Sequence, residues 1–131
     1  MKTIGLLGGM SWESTLDYYR QIMEQDFYKG RLTGRYGLDV IVPDAADRQR
    51  VHEIIFQELC PGQVRPASRE VFLRLVADLG AKGAEAVILG CTEIGMLIGP
   101  ADTSVALYDT TRLHAAKAVV WATDGSDAAY S

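Results

Sequence analysis

A short apolar run that ends at a glycine and a cysteine constrains the fold of this chain more than any other stretch. Ala86–Leu89 is apolar without alternation, which is typical of a strand buried on both faces of a parallel sheet. Gly90 permits a sharp turn, and Thr92 and Glu93 suit the start of a helix. The pattern therefore predicts that Cys91 lies where a buried strand ends and a helix begins.

The predicted position of Cys91 permits two interpretations. Ligands of open α/β sheets bind beyond the carboxyl ends of the strands, and backbone N–H groups at a helix N-terminus favour an anion, so a thiol there is expected to lose its proton readily. Free cysteine is also among the most buried residue types, so a structural side chain explains the pattern equally well. Spacing alone leaves both interpretations open.

Further strand and helix signals alternate along the chain. Strand patterns cover residues 2–7, 38–42, 86–89 and 105–108. Helical patterns cover residues 12–31 and 45–59. Three further helical segments follow Pro66, follow Cys91 and start at 109–111. Such alternation predicts an α/β fold with a flavodoxin-like, doubly wound, mainly parallel sheet of about four strands and helices on both faces. In the last helix, Leu113, Ala116, Val119 and Val120 are expected to pack inward.

Composition narrows the classes of function. With 131 residues, of which 48% are hydrophobic, the chain can bury one core and is expected to form a single domain. A net charge of −4 with scattered basic residues predicts neither nucleic-acid nor membrane binding. The first residues read as a strand rather than a signal peptide, so we expect a cytoplasmic protein. Two cysteines without a histidine cluster predict reduced thiols and no metal site.

A second strand-to-helix junction follows the first strand. Gly8 and Gly9 turn out of that strand, and Ser11 can cap the next helix. If the first strand and the strand before Cys91 are parallel neighbours, Met10 and Ser11 lie on the same edge of the sheet as Cys91. The sequence GLLGGMS lacks the full G-x-G-x-x-G spacing, so a dinucleotide cofactor is not predicted.

The opening KTIGLLGGMSWEST and the later GAEAVILGCTEIGML resemble the first strand–loop and the second catalytic loop of the aspartate/glutamate racemase family. The stretches MEQDFYKGRL, IIFQELCPGQ and YDTTRLHA are similar to that family as well, so the resemblance covers nearly the whole chain. It implies a cofactor-independent amino-acid racemase, an isomerase that moves a proton at the α-carbon of an amino acid, and a small-molecule partner that is an amino acid or a dicarboxylate. It also implies that Cys91 is an acid/base thiol and that Met10, Ser11, Thr92 and Glu93 bind the substrate.

The chain departs from that family in length. Family members are nearly twice as long and have two similar α/β halves that face each other across a cleft, each with one cysteine. The Cys-Asn-Thr type loop of the first half is absent here, and Cys60 lies in a segment that resembles a non-catalytic part of the second half, so we interpret it as structural. The resemblance therefore implies an internal shortening with a join near residues 22–23, one α/β domain over residues 1–124 equivalent to about half of the family fold, and a flexible tail at 125–131.

Three functional hypotheses follow from this departure. The chain is an amino-acid racemase impaired by the missing thiol, a non-catalytic module that binds an amino acid or dicarboxylate, or a homodimer in which a partner copy supplies the opposing thiol. The role of His114 is also open. It either tunes the Cys91 thiol or is a surface or packing residue.

Overall fold

The computed structural model describes residues 2–7 and 37–124, and these form an α/β fold around one parallel sheet. Its strands are β1 (Lys2–Leu7), β2 (Leu38–Ile41), β3 (Ala86–Leu89) and β4 (Ala106–Asp109), in the order β2-β1-β3-β4. All three strand pairings are parallel. The structure thus confirms the predicted α/β class and the parallel sheet of four strands.

The first strand of the chain occupies the interior of the sheet. Ile4 lies opposite Val40 of β2 and opposite Ala86 of β3. Leu7 lies opposite Leu89, and Gly90 N–H donates to the carbonyl of Leu7 at 2.7 Å, so β1 and β3 end level with each other. The segments that follow these two strands therefore leave from the same edge of the sheet.

Three α-helices accompany the sheet in the described residues: α1 (Ala45–Ile54), α2 (Pro66–Ala81) and α3 (Thr110–Asp124). The side chain of Asp44 accepts a hydrogen bond from Asp47 N–H at 2.9 Å and so caps α1. The pattern at 45–59 predicts one continuous α-helix, but its last five residues, Ile55–Leu59, form a π-helix. Cys60 follows this segment, and the next residue is Pro61, which has no N–H to donate.

The core lies between α2, the end of α1 and one face of the sheet. The predicted stripe of α2, namely Phe72, Leu75, Val76 and Leu79, is buried, as are Val51 and Ile54 of α1. A Cβ at Gly5 would lie 3.0 Å from Leu79 Cδ1 and 3.0 Å from Val87 Cγ2. Glycine at this position of β1 therefore lets α2 pack closely on the centre of the sheet.

Helix α3 does not bury its apolar side chains as the sequence predicts. Leu113, Val119 and Val120 are 51%, 62% and 54% exposed. This helix follows β4, which is an edge strand of the sheet, and within the described residues no further strand lies beyond β4. None of the helices in the described part of the chain has both the length and the apolar character needed to cross a membrane.

Candidate active site

Cys91 lies at the junction that the sequence predicts. Strand β3 ends at Leu89, Gly90 follows, and Cys91 is the N-cap of a 3₁₀ helix, Thr92–Met96. The backbone of Cys91 is extended, with φ −129° and ψ 136°. Cys91 is only 8% exposed and belongs to the hydrophobic core cluster. Cys91 is therefore largely buried, as the structural interpretation expects. It also lies at the carboxyl end of a central strand, as the functional interpretation expects.

The polar partner of the thiol is Glu93. Cys91 Sγ donates a hydrogen bond to Glu93 Oε2 at 2.6 Å, and Thr92 Oγ1 donates to the same oxygen at 2.8 Å. The bond from Cys91, and then the bond from Thr92, lowers the pKa of Glu93. Glu93 is thus an ionised acceptor that gathers both donors. The structure brings Cys91, Thr92 and Glu93 into one hydrogen-bonded group.

The expectation that Cys91 loses its proton readily is wrong. Burial, and next the hydrogen bond with Glu93, raises the pKa of Cys91 to about 12. Burial disfavours the thiolate, and the neighbouring carboxylate adds a negative charge that repels it. The helix that begins here is a 3₁₀ helix of five residues, so few aligned peptide dipoles oppose these two effects. At neutral pH the side chain is a protonated thiol.

The second cysteine lies on a neighbouring element. Cys60 follows the π-helix Ile55–Leu59, and this π-helix packs against the 3₁₀ helix Thr92–Met96. The Cys60 thiol is exposed and does not fill the core. Its pKa is raised by burial and, to a smaller degree, by the negative charge of Glu93. Cys60 is therefore within electrostatic reach of the Cys91–Glu93 pair, which its position before Pro61 did not indicate.

The π-helix is fixed to α2 by a polar contact that the sequence analysis missed. Glu58 is 7% exposed, and its Oε2 accepts a hydrogen bond from the hydroxyl of Ser68, which is 1% exposed. Arg65 approaches the other oxygen of Glu58 at 3.7 Å. A glutamate beside apolar residues and close to the Pro61–Gly62 turn was the signal that the sequence contained. The contact holds the element that packs behind the Cys91 helix.

The junction between β4 and α3 lies at the same edge of the sheet as Cys91. Asp109 Oδ1 accepts from the N–H groups of Thr111 at 3.0 Å and Arg112 at 3.2 Å, so Asp109 caps α3 as its position predicts. Thr110 Oγ1 donates to the carbonyl of Leu89 at 3.4 Å, which ties this junction to the end of β3. The proposed roles of the other predicted site residues stay predictions: His114 lies within α3, and Met10 and Ser11 lie outside the described residues.

Residues 24–118 match the family model described as Asp/Glu/hydantoin racemase. The match begins next to the join predicted near residues 22–23. This join and the tail at 125–131 lie outside the described residues, so both stay predictions. The structure is similar to a crystal structure of a proposed Asp/Glu racemase from Yersinia pestis, with a TM-score of 0.75 and 43% sequence identity. It is also similar to an aspartate racemase homologue from Pyrococcus horikoshii OT3, with a TM-score of 0.73 and 31% identity.

Each alignment covers 93% of this chain and 49% of the other chain. The protein thus spans about half the length of the two solved structures that it matches. The likeness includes the β3–Cys91 junction, since the family match extends through β3, the 3₁₀ helix and β4. The family match over most of the chain and the two structural likenesses lead to one conclusion: the chain belongs to the Asp/Glu/hydantoin racemase family.

Proposed function

We propose that this protein carries out one-sided proton transfer at the α-carbon of an amino acid or a dicarboxylate, with Cys91 as the acid/base group. The hydrogen bond of 2.6 Å between Cys91 Sγ and Glu93 Oε2 carries the proposal. It keeps the proton on the sulfur at rest, so Cys91 loses that proton to solvent before it takes one from the α-carbon. Family membership supports an isomerase as the class of enzyme.

Racemisation requires a base on one face of the α-carbon and an acid on the other. In this one-sided cycle the Cys91 thiol first loses its proton to solvent, which a pKa of about 12 opposes. The thiolate then takes the α-proton, the resulting thiol exchanges that hydrogen with solvent, and it returns a proton to the α-carbanion on the same face. A substrate ammonium group bound to Glu93 would offset the carboxylate charge and lower the pKa of Cys91. Glu93 and Thr92 therefore act as substrate-binding groups that also control the thiol, and this chemistry needs no cofactor.

The chain is proposed to be impaired as a racemase. Cys60 is the only other cysteine in the sequence, and it lies on the element packed against the Cys91 helix rather than on an opposing half. The solved relatives are about twice as long, which leaves half of their length without a counterpart here. Since free thiols are required, we place the protein in a reducing compartment such as the cytoplasm.

Proton exchange in deuterated water tests this proposal. The full chain would be incubated with L- and D-aspartate and with L- and D-glutamate, and α-deuterium incorporation and inversion would be followed by NMR and chiral chromatography. We expect slow incorporation with little inversion, lost in Cys91→Ser and retained in Cys60→Ser. Absence of exchange with every substrate would favour the alternative, a non-catalytic amino-acid or dicarboxylate binding module. Fast inversion by the monomer would contradict the impairment.

We propose that the chain forms a homodimer in which the partner copy takes the place of the missing half on the opposite side of the cleft. Val119 and Val120 of α3 and Tyr108 of β4 are exposed, and this surface begins beside the end of β3 through the contact between Thr110 and Leu89. Light scattering should then give twice the chain mass. Val119→Lys and Val120→Lys together should return it to the chain mass and abolish inversion but not α-deuterium exchange, whereas a monomeric wild-type chain contradicts the dimer.

A further inference from the structure

A cavity of about 260 Å³ lies between β4, α3 and the segment after the 3₁₀ helix, and it does not include the Cys91 group. Its wall is mainly apolar and is formed by Leu89, Ile98, Leu107, Leu113 and Ala116. Its charged lining residues are Asp109 and Arg112. Sites for small molecules typically occupy ~300 to 1,000 Å³, so this cavity lies just below that range and suits a small ligand.

The two charged residues lie on one face of the start of α3. Asp109 is the N-cap and Arg112 is three residues further, which places both side chains over the first turn. Asp109 uses Oδ1 to accept from two backbone N–H groups, whereas Oδ2 lies against Gly95, which also lines the cavity. Within the described part of the chain, no salt bridge joins Arg112 to a carboxylate. The cavity is therefore lined by one carboxylate and one guanidinium group that do not form a salt bridge with each other.

This pair of charges is matched by a zwitterion rather than by a simple anion. A lone carboxylate ligand would be attracted by Arg112 but repelled by Asp109. An α-amino acid can place its carboxylate on Arg112 and its ammonium on Asp109, and an aliphatic side chain then covers the apolar wall. We propose that this cavity is a binding site for an α-amino acid with an aliphatic side chain, separate from the Cys91 group.

The proposal is tested by calorimetric titration of the full chain with L-leucine. Hexanoate and isoamylamine serve as ligands that each carry one of the two charges. We expect saturable binding of one leucine per chain, with both analogues weaker by about tenfold or more, because each loses one charge-assisted contact. Absence of saturable leucine binding, or hexanoate binding as tight as leucine, would overturn the proposal.

Variants locate the binding. Ala116→Phe fills the cavity and should abolish leucine binding, whereas Ala115→Phe places the same side chain on an exposed position of α3 outside the lining and should leave it intact. Arg112→Gln should weaken leucine by about tenfold without filling the cavity. Equal binding by Ala116→Phe or Arg112→Gln and the parent would place the ligand elsewhere. Circular dichroism checks that each variant is folded.

One further variant separates this site from the proposed proton transfer. Cys91→Ser removes the acid/base group, and Cys91 is not among the residues that line the cavity, so the variant should bind leucine as the parent does. If Cys91→Ser loses leucine binding, leucine occupies the Cys91 site and the second site is refuted. Failure of the exchange experiment with aspartate and glutamate leaves this result unaffected, because the titration has a readout that requires no turnover.

Discussion

Cys91 Sγ lies 2.6 Å from Glu93 Oε2, so the thiol that follows β3 donates a hydrogen bond to a carboxylate two residues away. The same carboxylate oxygen accepts from Thr92. The arrangement stabilises the protonated form of the sulfur and the ionised form of the glutamate together. It has consequences for reactivity and for the pH dependence of stability.

Glu93→Gln should lower the pKa of Cys91, because it removes the negative charge while leaving the burial unchanged. Burial is the larger cause, so the pKa should remain above that of a free thiol. A fall of about one unit raises the thiolate fraction about tenfold at a given pH below the pKa. The pH profile of iodoacetamide alkylation, measured in a Cys60→Ser background, reports this change. Glu70→Gln, on the exposed face of α2, is the control and should not move the profile.

Glu93 should make the protein less stable in acid. Its pKa in the folded state is lowered below the ordinary 4.5, so its contribution to stability is present above about pH 4.5 and is lost as the pH falls through the folded value. Cys91→Ala removes the hydrogen bond that lowers the pKa of Glu93 the most, so it should bring that pKa back toward its ordinary value. Carboxyl ¹³C NMR titration measures that pKa, and urea unfolding between about pH 3 and pH 6 should show a shallower loss of stability in the variant. If the pKa of Glu93 is the same in Cys91→Ala as in the parent, the result contradicts the hydrogen bond between Cys91 and Glu93.

Ser68→Ala should destabilise the fold by about 1 to 3 kcal/mol, because it leaves the buried carboxylate of Glu58 without its hydroxyl donor. Urea unfolding monitored by circular dichroism measures the difference in free energy of unfolding. Ser104→Ala removes a hydroxyl from an exposed bend and should change that free energy by less than about 0.5 kcal/mol. Equal effects of the two substitutions would show that the contact between Ser68 and Glu58 is not important for stability.

Gly95→Ala should destabilise the protein by about 1 to 3 kcal/mol through steric overlap. Its Cβ would lie 2.6 Å from Asp109 Oδ2, and Asp109 is held by the two N–H groups that it caps. Gly99→Ala is the matched control, since its Cβ would meet only Asp102 Oδ2 at 3.9 Å. Thermal unfolding of both variants distinguishes them, and a Gly95→Ala chain as stable as Gly99→Ala would show that Asp109 moves freely.

The elements of the sheet could be predicted from sequence because their signals are local. The apolar runs at residues 2–7 and 86–89 match β1 and β3, and the stripe of α2 is buried as its periodicity indicates. The exposure of Leu113 and Val119 was not predictable, because periodicity identifies an apolar face but not whether a partner covers it. The π-helix at Ile55–Leu59 likewise depends on packing that the sequence pattern does not contain.

The candidate site was predicted in position but not in charge state. The Gly90–Cys91 turn after an apolar run located the thiol correctly. Its pKa depends on where the Glu93 side chain turns, and the sequence spacing allows that carboxylate to face either a substrate or the sulfur. Local patterns therefore locate the reactive atom, while the direction of its pKa shift requires the three-dimensional contacts.

The interior position of β1 determines how the fold responds to N-terminal truncation. β2 and β3 are not neighbours, and each forms its backbone ladder with Lys2–Leu7. Proteolytic removal of the first seven residues would separate the sheet into a lone strand and a pair. During synthesis, Lys2–Leu7 must therefore wait for the β3 partner that is made some eighty residues later, as the Glu85 N–H to Thr3 carbonyl bond at 2.8 Å illustrates.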